Sequence, residues 1–365
     1  MNKKILVLSN MYPTDKHKTY GIFVKNQAEK LRERGADVTV SAIQDPGKGK
    51  TGVIKKYMGW LLRTFRVLVS RGKSYNIVHA HYVFPTGMLA LMFKKLLKTP
   101  YVVTAHGGDI DRMAKKNARI RGWTRSILLH ADHVIAVGEA LRHDIIQDFD
   151  VPAERVTVMS MGVNRRIFQP VPKEEARAGL GIPSDEKPIV FVGNFIREKG
   201  VLDLIEAFSL LEKEETAVKL YMIGARRSQA FTEEAENLIK ERGIRNIQFL
   251  DPVSQPELAR WMAAAELFVL PSHMEGFGLV AVEAMACGTP VVGANVGGLS
   301  FLLADGSGVL AEPHNPVSLY ESMAAILQDE ALRERLLESG FRKAGENDEE
   351  KLMDKLEEIY GRIAK

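Results

Sequence analysis

The sequence predicts an α/β protein of two doubly wound parallel-sheet domains facing each other across a cleft, on three observations. Short apolar runs rich in β-branched residues recur along the chain, separated by stretches with helical spacing. Those runs are apolar throughout instead of alternating, as suits strands covered on both faces. Finally, 365 residues exceed what one ordinary core accommodates, so two domains are expected.

The elements follow in order. In the first half "KKILVLS", "DVTVSAI", "NIVHAHY", "PYVVTAH", "DHVIAVG" and "RVTVMS" read as strands, and "FVKNQAEKLRERG" reads as a helix closed by Gly35. Near "FQPVPKEEARAGL", Pro170 and Pro172 interrupt both patterns, which sets a boundary between domains of residues 1–168 and 169–345. The second half repeats the habit with "PIVFVGN", "VKLYMIG", "NIQFLD", "LFVLPS" and "PVVGAN". A charged amphipathic helix over 346–365 follows and is expected to pack back on the first domain.

Composition narrows the class. The chain is 45% hydrophobic and 26% charged, as in soluble globular proteins. No run approaches the roughly 20 apolar residues of a membrane-spanning helix, and no signal peptide is expected at the start, so a cytoplasmic location is expected. The lone Cys287 excludes an internal disulfide framework and fits a reducing compartment; its small apolar neighbours favour a buried structural thiol over a nucleophile. The net charge of +4 hides an asymmetry: residues 1–170 hold 29 Lys and Arg against 13 Asp and Glu, leaving 21 against 33 for the rest. No nucleic-acid partner is expected.

In open α/β sheets ligands bind beyond the carboxyl ends of the strands, and this chain places glycine and polar residues there. "NFIREKG" follows "IVFVG", with Gly193, Asn194, Arg197 and Lys199 ahead of a helix whose first amides would suit phosphate; the alternative is a solvated basic loop. "HMEGFG" follows "LFVLPS" and leads into a helix near Leu279. Here Gly276 and Gly278, either side of Phe277, let backbone approach a ligand, and Glu283 lies inside the helix, where a carboxylate suits the paired hydroxyls of a ribose. The alternatives are an ion pair for Glu283 and a helix N-terminal charge for Glu275.

Taken together these residues resemble the large retaining glycosyltransferase family 4, of GT-B architecture with two Rossmann-like domains. "EGFGLVAVEAMACGTPVV", with Glu275 and Glu283 eight apart, carries the resemblance, and "VGNFIREKGVLDLIEAF", "TAHGGD", "VIAVGEAL" and "VMSMGVN" stand in the family's order. The resemblance implies a nucleotide-diphosphate-sugar donor held mainly by the second domain, with Glu275 on sugar hydroxyls, Glu283 on the ribose and Lys199 on the diphosphate. Asn194 stands where many members have arginine, which makes Arg197 the substitute second cation. In the first domain it implies Gly21 near the donor phosphates, His106 against the sugar near its reacting carbon, and His79, His81 and Asp109 about the acceptor cleft. A histidine capping a strand end is the alternative for His106. Although His79 and His81 share a strand face, no third ligand accompanies them, and neither a metal nor another cofactor is expected.

The resemblance also implies metal-independent, retaining transfer of a hexose to an acceptor hydroxyl, in polysaccharide, glycolipid or other glycoconjugate synthesis. A nucleotide diphosphate is already a competent leaving group, so charge stabilisation and positioning suffice. A same-fold enzyme such as a non-hydrolysing epimerase is the nearest alternative, and a two-domain sugar-binding protein a further one. A nicotinamide oxidoreductase is excluded, because "VLSNMYPTD" lacks G-x-G-x-x-G after the first strand. Between residues 53 and 73, helical spacing sets Tyr57, Met58, Leu61, Phe65 and Leu68 on one face and Lys55, Lys56, Arg63, Arg66 and Arg71 on the other. Two readings stand for it: a helix resting on an anionic membrane, and a helix packed on the sheet with its charges solvated.

Overall fold

A computed structural model describes residues 3–364 apart from 16, 18, 19, 46–48 and 227. The chain forms two compact units: Met1–Met161 together with Glu350–Lys365, and Gly162–Glu349. The second unit begins at Gly162, seven residues before the boundary at 169 expected from the sequence.

The first unit holds a parallel sheet of β1 (Lys4–Ser9), β2 (Asp37–Ala42), β3 (Ile77–His81), β4 (Tyr101–Ala105), β5 (His133–Ala136) and β6 (Val156–Val158), in the order β2-β1-β3-β4-β5-β6. Its central strands β3 and β4 are buried along their whole length, which is why their sequences do not alternate. Between the strands run α1 (Ile22–Glu33), α2 (Gly49–Arg71), α3 (Thr86–Leu97), α4 (Ala118–His130) and α5 (Glu139–Phe149). A helix over Glu349–Ile363 returns to this unit. Met353, Leu356, Ile359 and Tyr360 of that helix join the core formed by Ile5, Val7, Val24, Leu31 and Ile77.

Helix α2 is not divided as its sequence suggests. Trp60, Thr64 and Leu68 are buried; the Trp60 indole N–H donates to the Ser41 carbonyl at 3.0 Å and the Thr64 and Ser41 hydroxyls meet at 2.8 Å. Met58, Leu61 and Phe65, expected with Leu68 on one face, are exposed, as are Ile54, Leu62 and Val69. The helix therefore carries two apolar stripes, one spent on the sheet and one uncovered.

The second unit repeats the plan with β7 (Lys187–Val192), β8 (Val218–Ile223), β9 (Ile247–Leu250), β10 (Leu267–Leu270), β11 (Val291–Ala294) and β12 (Val309–Ala311), in the order β12-β11-β10-β7-β8-β9, all parallel. Strand β12 has no counterpart among the expected runs: three residues at a sheet edge make too short a pattern. The helices are α6 (Lys173–Leu180), α7 (Val201–Glu214), α8 (Gln229–Arg242), α9 (Gln255–Ala264), α10 (Leu279–Ala286), α11 (Gly297–Leu302), α12 (Pro316–Gln328) and α13 (Glu330–Glu346). Among the described residues no helix is long and apolar enough to cross a membrane.

Candidate active site

The second unit gathers its candidate residues where β7 and β10 end. After β7 the chain passes through Gly193 and Asn194, makes a 3-10 turn over Arg197–Lys199 and enters α7 through Gly200. Gly200 has φ 65°, and a Cβ there would stand 1.9 Å from the Pro271 carbonyl oxygen. Glycine alone lets the β7 loop lie against the segment that follows β10. The result is a contact between two expected site residues: Lys199 Nζ is 2.6 Å from Glu275 Oε2, with both side chains mostly buried. Gly278, at φ 92°, starts α10, and among the described residues no side chain caps that start. Gly276 and Phe277 are fixed from behind, since the Gly298 N–H donates to the Glu275 carbonyl at 2.9 Å and a Cβ on Gly298 would strike the Gly276 oxygen at 2.3 Å.

Glu283, one turn into α10, is 7% exposed. Burial, with no opposing charge or hydrogen bond among the described residues, pushes its carboxyl up to about 8. The alternative of an ion pair is not what the structure shows. The same carboxylate, after burial, helps push the Cys287 thiol up to about 12, which suits a structural cysteine.

Arg197 is placed apart from this group. Its guanidinium reaches both carboxylate oxygens of Glu234 on α8 at 2.7 Å and lies over the Phe231 ring.

In the first unit the residues form a buried chain. His79 and His81, two apart on β3, stack with ring centroids 4.5 Å apart, both without exposed surface. His79 is spent on structure, with Nδ1 2.6 Å from the Tyr360 hydroxyl and Nε2 2.8 Å from the Thr104 hydroxyl. His81 Nδ1 meets His106 Nε2 at 3.2 Å, and His81 Nε2 is buried without a partner among the described residues. Phe23 and Tyr82 pack on the His106 ring at 4.9 and 4.5 Å. Burial holds His106 well below the ordinary histidine value, and His81 adds to the effect; burial pushes His81 itself down to about 3. Burial likewise holds His79 well below the ordinary value. Burial thus favours the neutral form of all three rings.

Asp109 is nearly buried and both its oxygens take backbone donors, Val83 N–H at 2.8 Å and His106 N–H at 3.0 Å. It clamps the loop after β3 to the loop after β4, and burial outweighs those donors to raise its carboxyl to about 6. Gly21, at φ 73°, starts α1 where a Cβ would be 2.6 Å from the Met11 carbonyl oxygen. One cluster has no signature in the sequence: Asp203, His273 and His314 converge from three separate elements, which no spacing could signal.

Comparison with known proteins accords with this geometry. A family model described as Glycosyltransferase Family 4 matches residues 21–166, and one described as Glycosyl transferases group 1 matches residues 172–343. The chain is 34% identical over 298 residues to a D-inositol 3-phosphate glycosyltransferase of Thermobispora bispora, covering 76% of this chain and 68% of that one. It is 32% identical over 305 residues to the protein of the same name from Corynebacterium diphtheriae, covering 80% and 71%. Among solved structures, sucrose-phosphate synthase of Thermosynechococcus elongatus superposes with a TM-score of 0.83 at 23% identity over 99% of both chains. HepE of Anabaena, solved with UDP and glucose, gives 0.80 at 21% identity over 99% and 100%. At these identities the structures show the shared GT-B fold.

Proposed function

Since the chain belongs to glycosyltransferase family 4, we propose that it transfers a hexose from a nucleotide-diphosphate sugar to an acceptor hydroxyl, with retention of configuration and without a catalytic metal. The observation that carries this reading is the Lys199–Glu275 contact beside the uncapped start of α10, with the buried, unpartnered Glu283 one turn further on.

Each group has a part in the transfer. The donor diphosphate replaces Glu275 as the partner of Lys199 and takes the free amides of α10, which stabilise the charge that develops as the glycosidic bond breaks. Glu275, released from the lysine, accepts hydroxyls of the sugar. Glu283 accepts those of the ribose, which gives a buried carboxylate the donors it lacks. His106, neutral and held by Phe23 and Tyr82, hydrogen-bonds the sugar near the reacting carbon. No general acid is needed, because the departing nucleotide diphosphate carries its own charge. Arg197, paired with Glu234 at the surface, would have to leave that carboxylate to act as the second cation.

The acceptor is proposed to be a lipid-linked or membrane-borne glycan in glycoconjugate or polysaccharide synthesis, met at the cytoplasmic face of an anionic membrane. What supports this is the uncovered stripe of α2 with Lys55, Arg63 and Arg66 beside it, all exposed.

Incubation with UDP-, GDP- and ADP-sugars and a glycolipid acceptor panel should release free nucleotide with one donor class, and NMR should show a product with the donor's anomeric configuration. Lys199→Ala should lower kcat by about 100-fold or more, the loss expected for removing one donor to a transition-state anion. An inverted product would overturn the retaining mechanism. Nucleotide sugar consumed without any acceptor would favour an epimerase.

A further inference from the structure

Three metal-ligating side chains that the transfer reaction leaves unused meet at one corner of the second unit. Asp203 lies in the first turn of α7, His273 follows β10, and His314 follows β12. His273 Nε2 is 2.6 Å from Asp203 Oδ2, and the rings of His273 and His314 stand with centroids 3.7 Å apart. One ligand atom of each residue lies within 4.8 Å of the other two.

The backbone holds these groups in place. The His273 N–H donates to the Glu198 carbonyl at 2.9 Å, and the side chains of His273 and Asp203 are only 18% and 23% exposed. His314 has φ 57°, the left-handed region where glycine would sit without strain and a side chain costs about 1 kcal/mol or more. The strained residue is the one whose ring meets His273. A hydrogen-bonded Asp–His pair would explain two members of the group and leave this third unexplained. A divalent cation would give the carboxylate and both imidazoles one common partner. A cavity of about 730 Å³ opens beside the group, and four further carboxylates, Glu206, Glu233, Glu234 and Glu241, line it with Asp203 and His314. Their field draws cations toward the group, although Arg242 and Arg197 partly neutralise Glu206 and Glu234.

We propose that Asp203, His273 and His314 bind a zinc-class divalent cation, with water completing the shell. Two imidazoles and one carboxylate suit zinc, whereas magnesium and calcium prefer oxygen alone. Bonds of about 2.1 Å at a tetrahedral centre set ligand atoms roughly 3.4 Å apart, so the Asp203–His273 contact opens from 2.6 Å while the exposed His314 closes in. The ion is a brace: it ties the first turn of α7, just past Lys199, to the segment that leads into Glu275. Only this consequence rests on the donor reading given above; the binding itself does not.

The test uses full-length, untagged protein stripped with EDTA. Calorimetric titration with ZnCl2 should give one ion per chain, and Co2+ should develop the visible d–d absorption of a tetrahedral site with nitrogen ligands. His314→Gly removes a ligand and relieves the backbone, so it should stay folded yet bind zinc at least about 10-fold more weakly; Asp203→Asn should also weaken binding. His143→Ala, an exposed histidine on α5, should bind as the unaltered chain does. Zinc binding unchanged in His314→Gly, no zinc binding by the unaltered chain, or magnesium binding as tightly as zinc would each overturn the proposal. Nucleotide release is measured separately, so failure of the donor reading leaves these results intact and distinguishable.

Discussion

Glu283 concentrates the residue-scale chemistry of the second unit. Its value of about 8 lies above the ordinary 4.5, so the folded chain keeps a proton that the unfolded chain loses between those two values. The group carries no penalty below about 4.5; the penalty grows as pH rises to about 8 and is full above that. Removing the charge with Glu283→Gln should therefore stabilise the ligand-free protein above pH 8 and leave it nearly unchanged at pH 5. The gain should reach up to a few kcal/mol, because each tenfold difference in proton affinity between the folded and unfolded chain is worth about 1.4 kcal/mol. Thermal unfolding at the two pH values checks this. Binding has the opposite sign, because ribose hydroxyls donate to the ionised form. Donor affinity should rise about tenfold between pH 7 and 9, the span over which one proton competes, and the glutamine variant should lose that dependence in a calorimetric titration. The motif singled out Glu283 as a candidate ligand group. That no cation accompanies it was not legible, because a neighbour in space leaves no trace in local spacing. Arg197 was singled out by its place in the loop, and its pairing with Glu234 on another helix was likewise not legible.

At the scale of elements, α2 and the turn into α7 each make a prediction. The uncovered stripe of Ile54, Met58, Leu62, Phe65 and Val69 should bind vesicles containing anionic lipid. Replacing Met58 and Phe65 together by serine should weaken co-sedimentation at least severalfold without lowering the melting temperature, since neither side chain belongs to the core. No preference for anionic over neutral vesicles would sink the membrane reading. The sequence showed α2 to be amphipathic but set its apolar face about a quarter-turn off, because the buried Thr64 counted as polar while its hydroxyl is satisfied by Ser41. Gly200 and Gly181 offer a second comparison. Both have left-handed φ, but a Cβ on Gly200 meets the Pro271 oxygen at 1.9 Å whereas one on Gly181 meets nothing within 4 Å. In denaturant unfolding, Gly181→Ala should cost about 1 kcal/mol and Gly200→Ala several times that.

For the whole molecule, two parallel sheets were legible because their strands are buried on both faces and announce themselves as apolar runs. Strand β12 was not, and neither was the exact point at which the chain leaves the first unit, which depends on packing instead of on proline. The return of the helix Glu349–Ile363 was expected from its amphipathic pattern, but its anchors were not. Arg34 holds Glu350 and Asp354 at 2.6 Å each, Lys30 also pairs with Glu350, and the Tyr360 hydroxyl reaches His79. Removing residues 350–365 should abolish the cooperative unfolding of the first unit in scanning calorimetry and leave a transition for Gly162–Glu349. A single unchanged transition would contradict this division.

That returning helix also sets when the first half of the chain can be finished during synthesis. The residues of Gly162–Glu349 are continuous, so that unit has all its parts once Glu349 leaves the ribosome. The earlier-made sheet must wait, its apolar face over Ile5, Val7 and Ile77 uncovered, until Met353 to Tyr360 arrive. The half translated first thus cannot be completed before the whole of the second has been translated, and that nascent first half is where a chaperone would find its binding surface.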